Sequence, residues 1–165
     1  MAVRKGLKGL FLLAVSIFIA DFLTKAWVQN AFFIEPERFP IVFMPDFFGI
    51  KGQITYAVNS GAAWGLFSQF PTLLVLFRVV LIAAMIIYLV GYNERKAWQV
   101  PFVCIVSGAL GNVSDYFLYG YVVDMIQLSF WGYHYPVFNL ADSSIFIGAF
   151  WILLLAFFEK EQVGT

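Results

Sequence analysis

Four aspartates stand out in a sequence that carries few charges. Asp21, Asp115, Asp124 and Asp142 each lie in or beside an apolar stretch. Acids at membrane depth are costly, roughly 2.5–3.5 kcal/mol each even on the lenient insertion scale, and they usually face the interior of a helix bundle. Two carboxyl groups that share one proton let one act as a base on water while the other polarises a carbonyl oxygen. The aspartates therefore indicate acid–base chemistry.

The sequence contains little that indicates another kind of reactive centre. The only histidine, His134, lies in an aromatic segment, where a role as ligand or base is the less favoured reading. An HExxH zinc motif and a glycine-rich phosphate loop are both absent. The single cysteine, Cys104, excludes an internal disulfide and a CxxC metal site, and its apolar surroundings favour a packing role. We therefore expect neither a metal nor a cofactor.

The composition is that of a membrane protein. The 165 residues are 62% hydrophobic and 12% charged, whereas a soluble domain carries about 25% charged residues. Too little polar surface remains to cover a globule in water, so lipid is the expected solvent. Ten Lys and Arg balance ten Asp and Glu, and this leaves no basic surface to suggest nucleic acid.

Four apolar stretches are long enough to cross a bilayer, which takes about 20 helical residues. They cover approximately residues 7–28, 72–92, 98–118 and 137–158. The first is interpreted as a retained helix rather than a cleaved signal peptide, because it is long, lacks a small-residue cleavage site and contains Asp21. The sequence predicts a four-helix bundle in one domain.

Basic residues beside three helix ends predict the orientation. They precede the first helix, separate the second from the third, and follow the fourth: Arg4, Lys5, Lys8, Arg95, Lys96 and Lys160. These flanks should be cytoplasmic, as should both termini. The connections 29–71 and 119–136 then face the outside, so the four aspartates should meet at one depth near the outer surface.

The two outer connections differ in character. The connection 29–71 is too long for a bare loop, and residues 53–58 alternate in polarity as a short strand does. The connection 119–136 is rich in Tyr, Phe and Trp. An interfacial aromatic belt explains this composition, and a lipid-contacting platform is the alternative.

Two Asn-x-x-Asp patterns suggest how the acids are held. Asn139 and Asp142 open the fourth stretch, where the pattern indicates a helix N-cap, a positioned carboxylate, or both. Asn112 and Asp115 lie inside the third stretch, where capping does not apply and hydrogen bonding between helices is the simpler alternative to a functional role.

Asp124 interrupts an extended-looking run of β-branched residues from 122 to 126. An exposed loop carboxylate is one interpretation. The apolar neighbours favour a desolvated acid with a raised pKa instead.

The sequence resembles lipoprotein signal peptidase, the type II signal peptidase, in five motifs that occur in the family's order along nearly the whole chain. They are D-x-x-[ST]-K at Asp21–Lys25, N-x-G-A-[AS]-[FW] at Asn59–Trp64, G-x-x-G-N-x-x-D at Gly108–Asp115, V-D-[FM]-I at Val123–Ile126, and F-N-x-A-D-S at Phe138–Ser143.

The resemblance implies a membrane aspartic endopeptidase that cleaves before the lipid-modified cysteine of prolipoproteins. Asp124 and Asp142 would be the catalytic pair. Supporting or substrate-binding residues would be Asp21, Lys25, Asn59, Gly61, Asn112, Asp115 and Asn139. The segment 31–70 would add a small extracytoplasmic β-sheet and a flap. The protein would work as a monomer among lipids in the bacterial inner membrane.

One position departs from the family pattern. Many members have arginine after the third-box aspartate, where this chain has Tyr116. Arg78, near the outer end of the second stretch, is a candidate to compensate. Two rival functions remain open from the residues alone: a proton-coupled carrier and a scaffold in which the acids only join helices.

Overall fold

The structure, a computed structural model, describes residues 2–60 and 69–163. Four long helices are α1 (Ala2–Ile34), α2 (Pro71–Ile87), α3 (Lys96–Tyr119) and α4 (Leu140–Val163). Four strands are β1 (Ile41–Phe47), β2 (Ile50–Asn59), β3 (Val122–Phe130) and β4 (Tyr133–His134). Short 3₁₀ and π segments, Pro36–Arg38 and Tyr88–Tyr92, follow α1 and α2.

All four helices are long and apolar enough to cross a membrane. Their outward faces carry large apolar side chains: Phe11, Leu73 and Phe117 are 69%, 65% and 72% exposed. Polar side chains such as Lys25 and Asp115 are instead 1% exposed. Because water would favour the reverse distribution, this is a multi-pass membrane protein, as its composition predicts.

Helix α3 occupies the centre of the bundle and packs most extensively against α4 and then α1. Small residues make the close approach possible. A Cβ added to Gly111 would lie 2.6 Å from Asp21 Oδ2 on α1, so no larger residue fits there without a shift. The polar residues of α1, α3 and α4 thereby come within hydrogen-bonding reach of one another.

The strands form one antiparallel sheet in the order β1-β2-β3-β4. The strand predicted at residues 53–58 lies within β2. Helix α3 ends at Gly120, whose φ of +82° is readily adopted only by glycine, and its N–H donates to Tyr116 O. The chain thus turns directly into β3, which pairs with β2 from Val122 onward. The aromatic segment 119–136 is therefore largely a β-hairpin.

Several helix boundaries differ by a few residues from the sequence expectation, and two of these differences have a clear local cause. Helix α1 continues past residue 28 to Ile34, since no helix breaker occurs before Glu35 and Pro36. Helix α4 begins at Leu140 rather than at residue 137. The reason is that Phe138 pairs with Ile126 of β3 in an isolated bridge.

Candidate active site

Asp124 is the third residue of β3 and is only 3% exposed. Both of its carboxylate oxygens accept hydrogen bonds from amide side chains. Asn139 Nδ2 donates to Oδ1 at 2.7 Å, and Asn59 Nδ2 donates to Oδ2 at 3.0 Å. Asp124 is therefore a buried and oriented carboxyl group, not an exposed loop acid.

Asp142 lies in the first turn of α4 and is held by a reciprocal cap. Its backbone N–H donates to Asn139 Oδ1 at 2.8 Å, and the Asn139 N–H donates to Asp142 Oδ2 at 3.2 Å. Such a cap satisfies two backbone donors at a helix start. The other oxygen, Asp142 Oδ1, accepts from Asn112 Nδ2 at 2.8 Å. Capping and positioning of the carboxylate thus coexist.

The two asparagines connect the two acids. Asn139 Nδ2 lies 2.7 Å from Asp124 Oδ1 and 3.0 Å from Asn112 Oδ1, while Asn112 Nδ2 reaches Asp142. Asp124 and Asp142 are therefore bridged by a chain of two side-chain amides. For Asn112, the hydrogen bonding between helices that the sequence suggested is confirmed, and it ends on the α4 carboxylate.

Lys25 is the buried cation of this network. Its ammonium lies 2.7 Å from Asp21 Oδ2, 2.9 Å from Asp115 Oδ2 and 3.0 Å from Asn112 Oδ1. Lysine has only donors, so it binds the oxygen of the Asn112 amide and not the nitrogen. The amide of Asn112 must therefore present its NH₂ group to the carboxylate of α4.

Asp21 and Asp115 also hold the backbone of the elements that carry the other two acids. Asp21 Oδ1 accepts the N–H of Ala141, next to Asp142, at 2.8 Å. Asp115 Oδ2 accepts the N–H of Val123, next to Asp124, at 3.1 Å. Asp21 thus connects α4 to α1, and Asp115 connects β3 to α3. The structure thus brings together all four aspartates that the sequence singled out.

The pKa of the Asp124 carboxyl is raised from 3.8 to about 7. Burial is the main cause because it penalises the ionised form, and the negative charge of Asp142 adds to it. Hydrogen bonds from Asn59 and Asn139 and the charge of Lys25 oppose the shift. A carboxyl group with a pKa near 7 can both hold and release a proton near neutral pH, which general acid–base chemistry requires.

A pocket of about 320 Å³ adjoins Asp142 on the side of the β-hairpin. Apart from Asp142 and Ser143 its walls are apolar or aromatic: Leu128, Phe130, Tyr135, Phe138, Phe146 and Ile147. It offers space for an apolar segment of a ligand directly beside a carboxylate.

Arg78, the candidate to compensate for the arginine that Tyr116 replaces, lies close enough to Asp124 and Asp142 to attract both carboxylates electrostatically. The sequence alone did not identify these two acids as its neighbours, because residue spacing does not show which way α2 faces. Tyr116 is half-buried on α3, and its ring contacts Phe117.

Two candidate residues remain, His134 and Gly61. His134 lies in β4, where Nδ1 is 2.8 Å from Ser129 Oγ. Gly61 lies outside the described residues. Within residues 2–60 and 69–163, no three His, Cys, Asp or Glu side chains are grouped as a metal site.

A membrane fold with four candidate spans that gathers one buried and one half-buried carboxyl group at an antiparallel sheet has the features of a membrane-bound aspartic hydrolase. Residues 13–158 match the family described as Signal peptidase (SPase) II. The chain belongs to the signal peptidase II family and is a peptidase.

Curated relatives and solved structures are similar over most of the chain. A lipoprotein signal peptidase of Wigglesworthia glossinidia brevipalpis is 35% identical, covering 90% of this chain and 92% of its own. One of Clostridium acetobutylicum is 33% identical, covering 93% and 96%. A solved bacterial membrane enzyme superposes with a TM-score of 0.76 at 29% identity, covering 94% of this chain and 91% of that one.

Proposed function

We propose that this peptidase removes the signal peptide from prolipoproteins by cutting before a diacylglyceryl-modified cysteine, with Asp124 and Asp142 as its catalytic pair. The single observation that carries the proposal is the amide bridge through Asn112 and Asn139, which holds two carboxyl groups in different environments. Family membership supports the substrate class, because the curated relatives are lipoprotein signal peptidases.

The proposed mechanism divides the work between the two acids. Ionised Asp142 takes a proton from water, and the resulting hydroxide attacks the scissile carbonyl carbon. Asp124, whose pKa near 7 keeps it largely protonated below neutral pH, donates its proton to the carbonyl oxygen. Collapse of the tetrahedral intermediate breaks the C–N bond. Asp142 then protonates the leaving amine, and the proton on the oxygen returns to Asp124.

The supporting residues fix this geometry rather than react. Asn59, Asn112 and Asn139 donate to the carboxylates and so limit their rotation. Lys25 orients Asn112 and balances the charges of the two other aspartates. Reactive groups held in this way lose less entropy on reaching the transition state. Gly61, in the segment expected to form a flap, completes the proposed set.

The setting of the site matches a substrate that is partly lipid. The pocket beside Asp142 is lined mainly by apolar side chains, of which Phe146 is 68% exposed toward the lipid-facing side of α4. Ester-linked acyl chains would remain in or beside such surroundings. Removing them from lipid would forfeit apolar burial at roughly 0.8 kcal/mol per CH₂.

The basic flanks support an inner-membrane orientation with both termini cytoplasmic and the carboxylates near the outer face. The chain would act as a one-domain monomer, since the described carboxyl and amide groups of the proposed site already form a connected network within one copy.

Purified protein in detergent tests the substrate assignment. A precursor whose cysteine carries diacylglycerol should be cleaved, and the product masses should place the cut before that cysteine. The same precursor without the lipid is the matched control, and we expect its cleavage to be at least about tenfold slower because the apolar part of binding is lost. Equal cleavage of both precursors, or a cut elsewhere, would contradict the proposal.

A further inference from the structure

A second cavity lies at the end of the bundle opposite the aspartates. It has a volume of about 740 Å³, within the roughly 300–1,000 Å³ typical of small-molecule sites. The first turns of α1 and α3 and the end of α2 enclose it. Most of its lining is aliphatic or aromatic, as at Leu10, Phe11, Leu89 and Val103.

The shape of the cavity is elongated along the helices. Lys96 and Ser107, both on α3, mark its two ends. Eleven residues of helix separate them, which corresponds to about 16 Å. An extended acyl chain would fit this length, whereas a compact ligand would leave much of it empty.

The wall contributed by α2 departs from regular helix. The segment that continues α2, Tyr88–Tyr92, is π-helical, and Leu89 and Val90 from this segment line the cavity. A π segment costs regular hydrogen bonding and is commonly found where a ligand binds.

Polar groups collect mainly at the Lys96 end, and Ser107 is the polar residue at the other end. Lys96 is exposed at the cavity rim and, among the residues the structure describes, forms no ion pair, whereas its neighbour Arg95 pairs with Glu159. Asn93 Oδ1 accepts the N–H of Arg95 at 3.1 Å, so its Nδ2 is fixed facing away. That nitrogen is buried and has no hydrogen-bond partner within the described chain. The rim thus offers an exposed cation, with an unpartnered donor buried beside it.

We propose that this cavity binds an anionic glycerophospholipid, with one acyl chain along α3 and its phosphate at Lys96. An amphipathic anion matches both the apolar walls and the charged rim. The apolar walls disfavour a free phosphate as the ligand, and the cation at the rim favours an anionic over a zwitterionic headgroup. The site is distinct from the aspartate network and does not depend on the activity of the protein.

Native mass spectrometry of the full-length protein tests the assignment. Delipidated protein is titrated with phosphatidylglycerol, with phosphatidylcholine of the same chains, and with inorganic phosphate. We expect a saturable phosphatidylglycerol adduct, weaker phosphatidylcholine binding, and none with phosphate. Equal binding of the two lipids would overturn the headgroup assignment, and binding of phosphate alone would overturn the lipid.

Two variants locate the adduct. Lys96→Gln should raise the dissociation constant for phosphatidylglycerol about fivefold, since one basic residue near a membrane surface contributes that much. Lys51→Gln, which removes the same charge from β2 in the sheet, is the matched control and should leave it unchanged. Equal effects of the two would refute the site.

The variant Ser107→Leu tests whether the acyl chain reaches the end of the cavity opposite Lys96, and it changes no charge. The Ser107 hydroxyl is buried and has no hydrogen-bond partner within the described chain, so its loss breaks no hydrogen bond there, and the added side chain fills the cavity. We expect weaker binding of lipids whose chains are long enough to reach Ser107, about 16 Å from Lys96, and unchanged binding of an analogue with chains about half as long. An equal effect on both chain lengths, or none, would contradict the placement of the chain.

Discussion

Replacing Asp124 with asparagine removes the pH-dependent part of the free energy of unfolding that comes from burying this acid. In the folded protein the pKa of this carboxyl is about 7, against 3.8 for the ordinary group. Between these two values the folded state holds a proton that the unfolded state has released. The free energy of unfolding must therefore fall as the pH rises toward and through 7.

The size of this effect follows from the pKa. Each pH unit over which only the folded state is protonated changes the free energy of unfolding by about 1.4 kcal/mol. From about pH 5 to pH 8, with a folded pKa near 7, the wild type should lose roughly 2–3 kcal/mol through Asp124. The asparagine amide of the Asp124→Asn variant cannot ionise. The substitution disrupts one hydrogen bond from Asn59 or Asn139, but the free energy lost with that bond is nearly the same at every pH.

Thermal unfolding in detergent at a series of pH values from about 5 to 8 measures the difference. The wild-type midpoint should fall by roughly 5–10 °C across the series, and the fall should be mostly absent in Asp124→Asn. Asp46→Asn, an exposed acid of β1, is the matched control and should keep the wild-type dependence. Parallel curves for wild type and Asp124→Asn would refute the reasoning that burial raises this pKa.

Three further substitutions test how the site is held. Lys25→Met leaves two buried carboxylates unpaired and should lower the free energy of unfolding by about 3–5 kcal/mol. The control Lys51→Met removes an exposed ion pair and should cost less than about 1 kcal/mol. Equal losses of Tm in the two variants would contradict this expectation. Gly111→Ala places a methyl group against Asp21 and should cost about 1–3 kcal/mol in the same unfolding assay, so an unchanged Tm would count against this close packing. Asn112→Ala removes the donor to the α4 carboxylate and should lower kcat about 100-fold in the precursor assay, an expectation that an unchanged kcat would refute.

The sequence predicted those positions at which the residue type is energetically costly for its surroundings. Acids in apolar stretches are expensive, so Asp21, Asp115 and Asp142 could be recognised one at a time and assigned to a common depth. The four helices followed from apolar length, and the strand at 53–58 from alternation. These are local properties, and each is visible in a short window of the chain.

The contacts between distant parts of the chain were not predictable in this way. Lys25 and Asn112 are 87 residues apart, and only the packing of α1 against α3 shows that the ammonium determines which way the amide points. The orientation of Arg78 toward the two carboxylates depends in the same way on how α2 is rotated. The run from 122 to 126 looked extended, but the pairing of β3 with β2 and β4 was not visible, and the aromatic residues of 119–136 suggested an interfacial belt.

Cleavage of a diacylglyceryl-modified precursor by Asp124→Asn and Asp142→Asn tests the central claim most directly. Both variants should remain folded in detergent, and each should lose at least about 1,000-fold in kcat, since the acid–base pair fails when either member cannot exchange a proton. Asp46→Asn should cleave like the wild type. Full turnover by either of the first two variants would show that the chemistry resides elsewhere.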